Sequence, residues 1–189
     1  TIEIRGKLID ISTPQVMGIL NATPDSFYVS SRSQSEREVA ERTAQILTEG
    51  GSIIDVGACS TRPGSNPVSE EDEAERLSFA LSIVRREAPK AVVSVDTYRP
   101  QLARMAVEEF GVDIINDVES TADMQRMVSR LRVPYIYMSR KSNIKDILLD
   151  CAETVEALRS MGQKDIVADP GFGFGKTLED NYKVMSQLE

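Results

Sequence analysis

Four polar residues stand where short apolar runs of the sequence end, and their side chains are suited to binding a nitrogen-rich ring. Asn21, Asp96, Asn116 and Asp169 each close or follow such a run. A carboxylate held in apolar surroundings loses hydration unless it binds something. Its two oxygens can accept hydrogen bonds from a pair of N–H groups, such as the edge of an aminopyrimidine. For Asp96 the alternative is that it caps the helix that follows.

Two further segments are suited to an anion and its surroundings. In residues 60–65, the hydroxyl of Thr61 precedes the donor fork of Arg62 and the turn at Pro63, which suits a phosphate or a carboxylate. The loop that ends at Phe27 has good turn chemistry and is long enough to act as a lid. For each segment the alternative is an ordinary turn, with a solvated arginine in the second.

A glycine-rich bend follows the last apolar run, over residues 169–177. It is not a P-loop, because Pro170 stands where that motif needs glycine. It is not the dinucleotide fingerprint either, because Lys176 stands at the third glycine position. The bend instead exposes backbone between Asp169 and Lys176, which suits a flat ligand or an anion.

Six apolar runs alternate with amphipathic stretches, which predicts parallel strands covered by helices on both faces. Residues 2–9 alternate around Gly6 and predict a small N-terminal β-hairpin. Ser69 is the predicted N-cap of the second helix. The predicted strands cover residues 16–20, 53–57, 91–96, 113–116, 134–138 and 165–169. The predicted helices cover residues 36–49, 70–87, 101–110, 122–131, 144–161 and 181–188.

This alternation indicates an α/β fold with a parallel sheet, either doubly wound or closed. Polar residues at four separate strand ends favour the (β/α)8 TIM barrel, in which all strand ends meet at one mouth. A doubly wound sheet would gather its ligand residues at one switch point. About six βα units are found in the 189 residues. Because an open barrel leaves two edges unpaired, we expect a single domain over residues 1–189 that lacks the last two βα units.

Composition narrows the class of function. The net charge is −8, with 30 acidic and 22 basic residues, which opposes binding along a nucleic-acid backbone. No apolar run reaches the roughly 20 residues of a membrane span, and no secretory leader is visible. The sequence contains no histidine, which excludes a Ser-His-Asp site and His-ligated zinc within this chain. Cys59 and Cys151 fit no metal or redox spacing, which predicts reduced thiols in a cytoplasmic protein.

Taken in order, these segments resemble those of dihydropteroate synthases, which are pterin-binding barrel enzymes. The resemblance is carried by residues 17–27, 55–64, 94–97, 115–118 and 169–177, which read MGILNATPDSF, DVGACSTRPG, SVDT, INDV and DPGFGFGKT. One such motif is weak evidence, but five in register are highly specific. The resemblance implies a transferase of folate biosynthesis and a sulfonamide target. It would join 6-hydroxymethyl-7,8-dihydropterin diphosphate to 4-aminobenzoate, giving 7,8-dihydropteroate and diphosphate.

The resemblance also implies roles for individual residues. Those that match contacts to the pterin are Asp96, Asn116, Met138, Asp169, Phe174 and Lys176. Those that match contacts to the anion or the benzoate are Thr61, Arg62, Phe27 and Pro63. Asn21 matches the residue beside the diphosphate and its Mg²⁺. The residues expected to act in catalysis are Asn21, Thr61, Arg62, Asp96, Asp169 and Lys176. Departure of diphosphate, helped by Mg²⁺ and cationic donors, would leave a pterin-stabilised carbocation that the arylamine attacks.

The sequence departs from the family pattern in three places. Residues 28–31 read YVSS, so the acidic side chain expected at Val29 is absent. Met138 is followed directly by SRKSN, which is a shorter loop than usual. The seventh and eighth units are missing, together with a Lys-Ser pair and an Arg and a His that bind substrate in the family. We therefore expect a fragment of an active enzyme, inactive on its own and a homodimer only at full length.

Two alternatives remain open. The methyltetrahydrofolate-binding domain of corrinoid methyltransferases has similar strand ends but lacks the TPDSF and STRPG loops. A non-catalytic remnant would bind pterin without turnover, having lost its C-terminal third. Release of diphosphate distinguishes an enzyme from a remnant.

Overall fold

In the computed structural model, a two-stranded hairpin precedes six strand–helix units. The structure describes residues 1–22, 32–59 and 68–188, without the side chains of residues 32 and 33. The strands are β1 (Ile2–Ile4), β2 (Lys7–Ile9), β3 (Met17–Asn21), β4 (Ile53–Gly57), β5 (Val92–Asp96), β6 (Ile114–Asp117), β7 (Tyr135–Met138) and β8 (Ile166–Asp169). The helices are α1 (Arg32–Thr48), α2 (Glu70–Glu87), α3 (Pro100–Phe110), α4 (Ala122–Leu131), α5 (Ile144–Ser160) and α6 (Leu178–Met185).

The six later strands form one parallel sheet in the order β3-β4-β5-β6-β7-β8. Every strand therefore lies beside its neighbours in sequence, and the order contains no switch point of the kind that defines a doubly wound sheet. This is the strand order of a (β/α)8 barrel with six of its units. The predicted fold class and the N-terminal hairpin are confirmed, and β3 and β8 form the two ends of the described sheet.

The two faces of the sheet have different partners. Tyr135 and Ile115 point to the outer face and are fully buried against the helices, in a cluster that includes Leu77, Leu81 and Ala106. The alternate side chains point to the inner face. At the amino ends of the strands this inner face is apolar, and it consists of Ile53, Val92, Ile114 and Ile136. The inner face therefore becomes polar only toward the carboxyl ends.

The hairpin covers the apolar end of the inner face. Ile2 and Ile4 are buried against Ile114. Arg5 and Gly6 have φ angles of 50° and 74°, as the two central residues of a type I′ hairpin turn require. The Arg5 guanidinium donates two hydrogen bonds to the Asp113 carboxylate, at 2.7 and 2.8 Å. The hairpin is thus fixed to the start of β6 by both apolar packing and an ion pair.

Most element boundaries agree with the sequence prediction to within one or two residues. Ser69 caps α2 as predicted, because its side chain accepts a hydrogen bond from Asp72 N. The predicted starts of two helices are wrong. The helix α1 begins at Arg32 and not at residue 36, and α6 begins at Leu178 and not at residue 181. In α6 the cause is a capping box in which Thr177 and Asp180 satisfy each other's backbone N–H groups.

Large apolar side chains are exposed along α6, the last helix of the described chain. Leu178, Tyr182 and Met185 of α6, and Leu188 just after it, are each at least half exposed. Contiguous exposed apolar side chains of this kind mark a surface suited to contact with another part of a protein or a partner. Within the described ranges, no helix is both long and apolar enough to cross a membrane.

Candidate functional site

Polar side chains occupy the inner face at the carboxyl ends of the strands. Backbone register pairs Asn21 with Gly57, Gly57 with Asp96, and Asp96 with Asn116. These four residues form one row across β3 to β6, which we call the upper row. Met138 pairs with Asp169 at the ends of β7 and β8. The structure thus brings Asn21, Asp96, Asn116, Met138 and Asp169 to one end of one face, as the sequence predicted.

Gly57 leaves open space between Asn21 and Asp96. A methyl group built at Gly57 would lie 3.4 Å from Asn21 Oδ1 and 3.6 Å from Asp96 Oδ2. The two polar side chains therefore converge over the backbone of β4, where any larger residue would contact both. An amide and a carboxylate facing one space can together bind a polar group of a ligand.

Asp96 is poised between its two protonation states near neutral pH. Burial, and then the charges of Asp55, Asp117 and Glu73, raise the pKa of Asp96 to about 7. The alternative role as a helix cap is wrong, because α3 begins at Pro100 with Arg99 as its N-cap residue. The carboxyl group is thus held among other acids without serving the helix, which is typical of a ligand-binding group.

Asp55 also belongs to this site, although its position in the sequence had suggested no role for it. It lies on the inner face of β4, is 5% exposed, and sits one step below the upper row. Asn116 Nδ2 donates a hydrogen bond to Asp55 Oδ2 at 3.1 Å. Burial raises the pKa of Asp55, while Ser94 and Asn116 act in the opposite direction. The available signal was a single carboxylate inside an otherwise apolar strand.

The glycine-rich bend after β8 packs closely against the end of β7. Gly171 has a φ of +70°, and a methyl group there would collide with Ser139 O and lie 3.0 Å from Met138 Cγ. Asp169 Oδ1 accepts a hydrogen bond from Gly171 N at 2.8 Å, and Lys176 Nζ donates to Gly171 O at 2.8 Å. Lys176 is therefore tied to the bend itself. Asp169 is oriented by the same turn, with one oxygen engaged.

The chain enters α2 through a buried ion pair. Glu73 is fully buried and accepts hydrogen bonds from Thr97 Oγ1 at 2.8 Å and from Arg99 Nη1 at 2.7 Å. Arg99 also donates to the carbonyl groups of Val68 and Ser69. These contacts fix the chain at residue 68 beside the end of β5, close to Asp96.

Four predicted site residues lie outside the described ranges. They are Phe27, Thr61, Arg62 and Pro63. Phe174 is described and is partly buried in the glycine-rich bend. The roles of all the predicted site residues remain predictions.

The donor set around Gly57 is compatible with Mg²⁺. This ion takes oxygen ligands, commonly one or two from the protein together with substrate phosphates and water. Asn21 Oδ1 and Asp96 Oδ2 border the same space. Among the described residues, no group of three or more acidic or cysteine side chains could hold a metal. Substrate oxygens would therefore have to complete the coordination shell.

A family match and sequence relatives point to the same kind of protein. The family described as "Pterin binding enzyme" matches residues 17–189. The dihydropteroate synthase of Clostridium beijerinckii is 36% identical over 185 residues, covering 92% of this chain and 68% of that protein. The Bacillus subtilis dihydropteroate synthase is also 36% identical over 185 residues, covering 92% of this chain and 64% of that protein. The chain thus spans about two thirds of the length of these relatives.

A solved structure agrees with these relatives. Xanthomonas albilineans dihydropteroate synthase with 4-aminobenzoic acid superposes with a TM-score of 0.89 at 30% identity. The match covers 99% of this chain and 72% of that one. Fold and sequence relatives therefore agree, and the chain belongs to the pterin-binding enzyme family, within its dihydropteroate synthases.

Proposed function

We propose that the protein carrying this chain is a dihydropteroate synthase, and that the chain supplies its pterin-binding part. The reaction would join 6-hydroxymethyl-7,8-dihydropterin diphosphate to 4-aminobenzoate in folate biosynthesis. The observation that carries the proposal is the convergence of Asp96, Asn116 and Asp169 at one end of one sheet face. The relatives support this function over a corrinoid methyltransferase domain.

The site is suited to the N–H-rich edge of a pterin. Carboxylates accept hydrogen bonds only, so Asp96 and Asp169 in their ionised forms select ligand groups that donate. The Gly171 N–H holds Asp169 in place before a ligand arrives. Binding between fixed acceptors costs less conformational entropy than binding that must first order them.

The proposed reaction needs no strong base from the protein. The bond between the pterin methylene carbon and the diphosphate oxygen breaks, and diphosphate leaves with the electron pair. The arylamine nitrogen then forms the new C–N bond and releases its proton. Mg²⁺, when bound, would neutralise charge on the departing diphosphate. Asp96 and Asp169 would favour positive charge on the ring, and the site would hold the two reactants in line.

Three further properties are part of the proposal. Asn21 would bind Mg²⁺ through Oδ1, supported by its position over Gly57. A cytoplasmic location is supported by Cys59 and Cys151, which are not joined in a disulfide. A homodimer is proposed for a full-length protein.

A second candidate function is pterin binding without turnover by this chain alone. It is favoured by the length comparison, because the match covers only 68% and 64% of the length of these two relatives. The exposed apolar side of α6 agrees with it. The two candidates share the same pterin site and differ in whether the diphosphate is released.

Calorimetry followed by a turnover assay tests both. The chain is titrated with 6-hydroxymethylpterin and then incubated with the pterin diphosphate, 4-aminobenzoate and Mg²⁺ while diphosphate is measured. Diphosphate release supports the synthase, and pterin binding without release supports the second candidate. Asp169→Asn should weaken pterin binding about tenfold, because it turns an acceptor into a donor. Asp123→Asn, on the exposed side of α4, is the matched control, and absence of pterin binding to the unmodified chain would refute both candidates.

A further inference from the structure

Asp55 is a buried carboxylate beneath the proposed pterin site, and it has one firm hydrogen bond. Its neighbours along β4 are Ile54 and Val56, which are fully buried. Asn116 donates to Asp55 Oδ2. Asp55 Oδ1 and the Ser94 hydroxyl are buried without a hydrogen-bond partner of good geometry among the described residues. Burying a carboxylate that is only partly hydrogen-bonded costs free energy.

The direction of the Asn116 hydrogen bond limits what Asn116 can offer to a ligand. An amide has a donor side and an acceptor side, and a carboxylate can only accept. An ionised Asp55 therefore draws the Nδ2 side of Asn116 downward, below the upper row. The carbonyl oxygen of Asn116 is then directed away from Asp55, toward the carboxyl end of the sheet. Without Asp55 the amide could adopt either orientation.

We propose that Asp55 is a positioning residue that fixes the orientation of the Asn116 amide for pterin recognition. This inference rests on the proposed function and adds a residue to it. With Asn116 oriented in this way, the upper row presents acceptors from both Asp96 and Asn116 to the N–H groups of the ring. Asp55 does not touch the ring in this arrangement and acts through Asn116 alone.

Two substitutions separate the hydrogen bond from the charge. Asp55→Leu removes both, while Asp55→Asn keeps an oxygen that can accept from Asn116. With 6-hydroxymethylpterin as the probe in calorimetry, Asp55→Leu should bind about tenfold more weakly, which is the usual effect of losing one well-placed hydrogen bond. Asp55→Asn should stay within about threefold of the unmodified chain. Thermal unfolding should show both variants to be folded.

A double-mutant cycle tests whether Asp55 acts through Asn116. Once Asn116→Ala is present, adding Asp55→Leu should weaken pterin binding no further. A merely structural role for Asp55 would instead lower affinity in both backgrounds. Asp113 is a buried carboxylate at the opposite end of the barrel, so Asp113→Asn is the matched control. This variant should lower the free energy of unfolding without changing the affinity for the pterin.

A third variant keeps the test open if Asp55→Leu does not fold. Asp55→Ala also removes the acceptor of the Asn116 Nδ2–H group. It should weaken pterin binding as Asp55→Leu does, and only where Asn116 is intact.

The outcomes distinguish the two proposals. If the unmodified chain fails to bind the pterin, the proposed function is refuted. If it binds and folded Asp55→Leu binds equally well, only the positioning role is refuted. Independent losses in the double-mutant cycle would also overturn that role.

Discussion

Replacing Asp96 by asparagine is expected to stabilise the fold in neutral solution while weakening pterin binding. Burial and the charges of Asp55, Asp117 and Glu73 raise the pKa of Asp96 from 3.8 to about 7. Between these values the folded chain keeps a proton that the unfolded chain releases, so stability falls as pH rises through this window. At about 1.4 kcal/mol for each pKa unit, the loss above pH 7 reaches about 4 kcal/mol.

Urea unfolding from about pH 4 to about pH 8 measures this effect. The free energies of unfolding of Asp96→Asn and the unmodified chain should agree at the acid end. At the alkaline end the variant should be more stable by about 2 to 4 kcal/mol, because asparagine carries no charge to bury. The free energy of unfolding of Asp96→Asn should still fall as the pH rises, since Asp55 and Glu73 also have raised pKa values.

Asp123→Asn is the matched control for a change of charge. Asp123 lies in the first turn of α4 with its side chain 76% exposed, so its substitution should change stability by less than about 1 kcal/mol at any pH. Equal or lower stability of Asp96→Asn at the alkaline end would refute the argument that Asp96 is held at an energetic cost. Pterin affinity is then the second readout, and it should fall about tenfold or more.

Three further outcomes follow from contacts that position the site. Gly171→Ala should lower the free energy of unfolding in urea by about 3 kcal/mol and weaken pterin binding. The reason is that the positive φ of Gly171 and its closeness to Ser139 O leave no room for a side chain. A variant with unchanged stability would contradict this. Asp113→Asn should cost about 2 to 3 kcal/mol and speed proteolysis of the hairpin, because Arg5 and Arg85 lose their shared partner. Asp150→Leu should cost about 2 kcal/mol in urea unfolding, because the hydroxyl groups of Tyr137 and Ser139 lose their carboxylate acceptor. Leu148→Ala, at an exposed site on α5, is its control.

The fold was predictable because its strands are short apolar runs separated by amphipathic helices. The helix starts were harder to place. The first turn of α1 is polar, so periodicity gives no signal there and the predicted start was four residues late. The start of α6 was available in the sequence as Thr177 and Asp180, three residues apart, but the preceding glycines favoured a longer loop.

The site was predictable where a polar residue ends a strand and obscure where it lies inside one. Asn116 and Asp169 stand at the boundary between an apolar run and a loop, which is where barrel enzymes bind ligands. Asp55 lies in the middle of β4, and sequence alone cannot show that its side chain reaches Asn116 on a strand two places away. Contacts of this kind depend on the relative stagger of strands, which single-strand patterns do not contain.

Side chains alternate between the two faces along β4, β5 and β6. A change in the length of one of these strands should therefore disturb the site more than a substitution within it. One residue added early in β5 would turn Asp96 toward the helices and bring Val95 into the mouth, since successive side chains point to opposite faces. The connecting segments are under no such constraint. Variant libraries built on this scaffold should therefore keep the residue count of every strand constant.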